Sequence, residues 1–141
     1  MPGMTDTVIS LDTNVWIFGF LGKVPFCETI LLNLPRFHII IPDQIRAELE
    51  RNLSNHLMDR FYLIAMEAGV QFDFEPVPHS FIEQFEQKGL KKGDLIIGAF
   101  CEWRHVDVIV SDNRDFLKGL SGGHSFQVMS PRMFCEKNRL L

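Results

Sequence analysis

The chain has 141 residues, 46% of them hydrophobic and 23% charged, which is close to the globular average and enough for one sizeable core. A formal charge of −4 excludes the overall basic surplus of a nucleic-acid-coating protein, so any such contact needs a local patch. No apolar stretch reaches the ~20 residues of a membrane helix, and MPGMTDTVIS has neither the basic start nor the apolar run of a signal peptide.

The expectation is one cytoplasmic domain over residues 1–141 with no membrane association. Cys27, Cys101 and Cys135 are far apart and show no metal-binding spacing, so they are expected as buried free thiols in a reducing compartment.

The first predicted strand is Thr7–Leu11, followed by a short helix over Asn14–Phe20 and a second over Pro25–Leu34, which stops before Pro35. A strand over Phe37–Ile41 leads to Asp43, read as the N-cap of a helix whose Ile45, Leu49 and Leu53 make an apolar stripe. His56–Ala68 is helical and stops at Gly69. Gln71–Val77 is a weaker strand candidate ahead of Pro78. Ser80–Lys88 carries Phe81, Ile82 and Phe85 on one helical face and stops at Gly89. The apolar helix Asp94–His105 precedes strands over Val106–Val110 and Phe126–Met129. Ser130-Pro131 then starts a last helical turn. "FHIII" and "VDVIV" are nearly continuous apolar runs, the mark of strands covered on both faces. Strands alternating with helices predict an α/β fold with a mostly parallel sheet of four or five strands.

The carboxyl edge of such a sheet is where ligands bind. Asp12 leaves the first strand there, with Thr13 or Asn14 placed to cap the next helix and face the same crevice. Glu48 lies at the border between apolar stripe and solvent, and Asp94 is placed as the cap or first residue of its helix. "IVSDNRDF" puts Asp112, Asn113 and Asp115 at a later strand exit. Taken singly, Asp12 and Asp94 read equally well as helix caps and Glu48 as a surface residue. Together they can converge on one crevice, where repelling carboxylates need a cation. Oxygen ligands without a Cys/His set favour Mg²⁺ or Mn²⁺.

"VISLDTNVWI", "IIIPDQIRAELERNL", "LKKGDLIIGAF" and "VIVSDNRDFL" follow one another in an order and at distances that resemble the PIN-domain ribonucleases, including VapC-type toxins. The resemblance covers nearly the whole chain. It implies a PIN-like three-layer α/β/α sandwich and metal-dependent cleavage of RNA. Asp12, Glu48 and Asp94 match the family's first three acids, Asn14 the polar position after the first, and Ser111 the hydroxyl at the last strand's exit. The fourth acid's place falls on Asn113, with Asp112 as a reserve ligand and Asp115 as a supporting residue. On this reading Asp12 and Asp94 bind the principal Mg²⁺ or Mn²⁺, Glu48 helps to hold it or orients water, and Lys91, Lys92, Arg104 and Arg114 are candidates for phosphate contacts. An RNA substrate, a homodimer and an antitoxin protein whose tail occupies the acidic cleft are implied as partners. Two alternatives stay open: a degenerate PIN fold that binds RNA or protein without cutting, and a phosphatase on another doubly wound fold.

Overall fold

A five-stranded sheet of parallel strands runs in the order β3-β2-β1-β4-β5. The strands are β1 (Val8–Leu11), β2 (His38–Pro42), β3 (Gln71–Asp73), β4 (Val108–Val110) and β5 (Gln127–Met129). The structure is a computed structural model, and it describes residues 7–113, 116 and 123–140. All five expected strands form, the weak candidate at Gln71 included, but that one keeps only three residues. The continuous apolar runs behave as their pattern requires: β4 is buried throughout, and β2 is buried beyond His38. Ile9 stands beside both Ile39 and Val108, so β1 is the central strand, hydrogen-bonded on both sides.

Helices flank the sheet in an α/β/α sandwich. They are α1 (Thr13–Phe20), α2 (Pro25–Leu32), α3 (Asp43–Asn52), α4 (Asn55–Glu67), α5 (His79–Gln87), α6 (Lys92–Trp103) and α7 (Pro131–Lys137). α7 starts at the cap expected from the sequence, Ser130 Oγ accepting from the Met133 N–H at 3.2 Å, and α4 starts at Asn55 with Ser54 Oγ accepting from the Leu57 N–H at 3.2 Å. Gly69 (φ 73°) and Gly89 (φ 93°) take the left-handed conformation that closes α4 and α5.

Three local expectations are corrected. α2 ends at Leu32 and a separate 3₁₀ turn covers Leu34–Arg36, because Asn33 leaves helical geometry at φ −119° and Pro35 has no N–H with which to continue the α-helix. Asp43 is the first residue of α3, not its cap. Pro42 holds that place, and the Asp43 carboxylate accepts from Arg46 Nε at 2.7 Å instead. Asp94 is the third residue of α6, whose N-cap is Lys91.

The core centres on Phe61, which is fully buried and meets Trp16 edge-on at 5.1 Å and 88°. Phe20, Tyr62 and Phe72 complete the aromatic contacts of Phe61. All three cysteines are buried and unbridged. Among the described residues no single helix is long and apolar enough to cross a membrane.

Beyond β3 the chain is clasped by Arg104. Its Nε donates to Asp73 Oδ2 at 2.7 Å and its Nη2 to Glu75 Oε2 at 3.0 Å, while the guanidinium lies 3.7 Å from the Trp103 ring centre. Because Asp73 is buried, Arg104→Ala strands its charge. The expected loss is about 1–3 kcal/mol in urea unfolding, below the ~3–5 kcal/mol of a fully buried pair because Arg104 is partly exposed. Arg104→Lys, which cannot reproduce the two-armed contact, should recover little of it.

Candidate active site

The strand order reverses between β1 and β4. The chain steps outward through β2 and β3, then returns to the other side of β1 with β4 and β5. Such a switch point opens a crevice at the carboxyl ends of the two strands. Asp12 and Ser111 are the residues that leave β1 and β4 there. Both are still pinned by the ladder: the Asp12 N–H donates to Val110 O and the Ser111 N–H to Met129 O, each at 2.9 Å.

Asp12 is buried, with each carboxylate oxygen taking one donor. Oδ1 accepts from the Thr13 N–H at 2.8 Å and Oδ2 from Ser111 Oγ at 2.8 Å. It is thus the N-cap of α1, one of the two roles its place in the sequence allowed, and neither Thr13 nor Asn14 fills that role. Capping alone does not account for its electrostatics. Its pKa is raised to about 6, chiefly by burial and in smaller part by the charges of Asp94 and Glu48, against the two hydrogen bonds that lower it. Hydrogen bonds join the same three carboxylates, Thr13 linking Asp12 to Glu48 and Ser111 and Asn113 linking Asp12 to Asp94.

Glu48 is half-buried on α3 and held at both oxygens. Thr13 Oγ1 donates to Oε1 at 2.7 Å and Gln44 Nε2 to Oε2 at 2.8 Å. Asp94, in the first turn of α6, receives Asn113 Nδ2 at 3.2 Å on Oδ2. Asn113 Oδ1 accepts from the Phe116 N–H at 3.4 Å, and the Asn113 N–H donates to Ser111 Oγ at 3.1 Å. The Asn113 side chain presents its amide nitrogen, not its carbonyl oxygen, to Asp94, a neutral donor where a further carboxylate would repel.

The structure therefore gathers Asp12, Glu48, Asp94, Ser111 and Asn113. It leaves two expected residues outside. Asn14 is exposed, and the link to Glu48 falls to Thr13. Asp112 is exposed, and its charge bears on the buried Cys27 thiol of α2, helping to push it up to about 12; it is not among the charges acting on Asp12. Asp115 and Arg114 lie outside the described residues. Arg104 is committed to Asp73 and Glu75, whereas Lys91 and Lys92 are exposed at the start of α6. Sequence reasoning placed Thr13 or Asn14 at the crevice without choosing between them, and missed Gln44 and Gly93 as neighbours of Glu48. Only Gln44 left a signal, a polar side chain one helical turn before the acid. Among the described residues no three His, Cys, Asp or Glu side chains stand close enough to hold one ion directly.

Fold and site together define a doubly wound parallel sandwich with an acidic crevice at its switch point. No family model and no curated protein matches the sequence. Among solved structures, a chain of VapBC2 from Rickettsia felis, crystallised with a DNA fragment from their promoter, matches with a TM-score of 0.63. The match is 17% identical and covers 88% of this chain and 98% of that one. At that identity the likeness shows the fold, a PIN-like three-layer sandwich.

Proposed function

We propose that the protein is a Mg²⁺- or Mn²⁺-dependent endoribonuclease. The observation that carries this reading is the buried Asp12, linked through Thr13 to Glu48 and through Ser111 and Asn113 to Asp94 at the ends of β1 and β4. Crowding of this kind is costly unless a cation compensates it. The donor set fits the group. Mg²⁺ keeps several of its waters and takes one or two carboxylates, which agrees with acids that surround a space without closing on it. Each Asp12 oxygen accepts one hydrogen bond and keeps a further lone pair.

On this reading Asp12 and Asp94 would hold the ion, partly through water. When bound, the ion supplies charge neutralisation at the phosphoryl group and an acidified water. Glu48, fixed by Thr13 and Gln44, orients the attacking water. Ser111 keeps Asp12 turned toward the crevice. Asn113 secures Asp94 by hydrogen bonding, which leaves the set three carboxylates strong and favours a single ion. Lys91 and Lys92, beside Asp94 in sequence, meet the substrate's phosphates. Incubating the purified chain with defined RNAs, with and without Mn²⁺, tests the proposal: metal-dependent internal cleavage is expected, and its absence rejects it.

The VapBC2 likeness supports a finer reading, the toxin of a toxin–antitoxin pair acting in the cytoplasm. A small antitoxin would then seat its tail in the acidic cleft of a homodimer. One observation favours a different role. With Asn113 in the fourth position, the crevice has one carboxylate fewer than the family pattern, as a PIN-like module that binds RNA or protein without cutting would have. Failure of the purified protein to bind Mg²⁺ at millimolar concentration selects that module.

A further inference from the structure

Glu48 is held at both carboxylate oxygens, and a glycine of the neighbouring helix lies against one of them. Its Oε2 accepts from Gln44 Nε2 and lies against Gly93, the second residue of α6. A Cβ built on Gly93 would overlap Glu48 Oε2 and stand 3.3 Å from both Glu48 Cδ and Gln44 Nε2. Gly93 does not take a positive φ, so its backbone has no need of glycine. What requires glycine is the space.

We propose that Gln44 and Gly93 are positioning residues for the Glu48 carboxylate, Gln44 by donating to Oε2 and Gly93 by leaving open the volume that Oε2 occupies. The start of α6 adds its own pull, because a carboxylate is favoured at the positive end of a helix. Thr13, Gln44 and Gly93 thus fix Glu48 from three elements, α1, α3 and α6. The atom that must yield to a methyl at Gly93 is the tip of a flexible side chain, so α6 stays put and Glu48 leaves its place.

This assignment rests on the nuclease reading for its effect on activity, but not for its geometry. Gly93→Ala exchanges a poor helix former for the best one at a helical position, so thermal stability should not fall. Mn²⁺ affinity, titrated on the full chain, should weaken about 10–100-fold, the usual cost of removing a supporting contact at a metal site, and kcat should fall with KM for RNA nearly unchanged. Adding Glu48→Asp to Gly93→Ala shortens the displaced side chain and should restore part of the loss. Gln44→Met, which leaves α6 untouched, should act in the same direction and decides the matter if Gly93→Ala folds poorly.

The metal-free readout is the side-chain amide resonance of Gln44. It should move in Gly93→Ala as it does in Glu48→Ala. Wild-type Mn²⁺ affinity together with an unmoved Gln44 amide in Gly93→Ala overturns the assignment. If the wild-type protein neither binds Mn²⁺ nor cleaves RNA, the nuclease reading falls, and the Gln44 amide alone upholds or overturns the positioning role.

Discussion

Asp12→Asn is expected to abolish metal-dependent RNA cleavage while making the metal-free protein more stable at neutral pH. The two effects have one cause. In the unfolded chain Asp12 loses its proton near 3.8, whereas in the native crevice it does so at about 6. Between those values the native state holds a proton that the unfolded state has released. Stability therefore falls as pH rises through the window and is flat above it. At 1.36 kcal/mol per unit, the fall is roughly 3 kcal/mol. Asparagine cannot ionise, so the difference between the urea-unfolding profiles of wild type and variant should open from pH 4 to 6 in the variant's favour. Millimolar Mg²⁺ at pH 7 should raise the wild-type melting temperature and leave that of Asp12→Asn unmoved, since binding to the native state stabilises it by mass action. The catalytic loss should exceed the ~10–100-fold cost of an outer supporting contact. Undiminished cleavage by Asp12→Asn would sink the assignment.

Phe61→Ala should be the most damaging single truncation of the core, at about 3–5 kcal/mol. Phe61 is fully buried and shared by four aromatic neighbours from three elements, Trp16 and Phe20 on α1, Tyr62 on α4 and Phe72 on β3. Urea unfolding should show a lower midpoint with the same slope, the sign of lost stability without a changed unfolded state. Phe74→Ala provides the contrast: its ring is 64% exposed, and the change should stay within about 0.5 kcal/mol.

The sheet was legible in the sequence because burial on both faces writes itself as unbroken apolar runs, as in "FHIII" and "VDVIV". Even the weak strand at Gln71 formed, since an edge strand needs only one partner, here β2. What was not legible was the placing of helix starts. Lys91 and Pro42 cap α6 and α3 without a side-chain hydrogen bond, so the acids expected as caps sit inside the first turn. At the site, Asp12, Glu48, Asp94 and Ser111 stood out because each lies at the end of a strand or in the first turns of a helix. The hydrogen bonds that tie these residues into one site link Asn113 to Asp94, Thr13 to Glu48 and Ser111 to Asp12, which lie 19, 35 and 99 positions apart in the chain. Thr13 therefore could not be told from Asn14 before the fold was known. The direction of the Asn113 amide was equally hidden, because it depends on which neighbour takes the oxygen.

The position of β1 has a consequence for how the protein breathes. Strands β3 and β5 are three residues long and paired on one side only, so they are where amide protons escape first. β1 is secured from both flanks, and Asp12 is the next residue after it. Fraying at either margin of the sheet thus leaves the first acid of the crevice in place. Local opening can loosen the edges of this molecule many times before it costs the floor of the crevice its alignment.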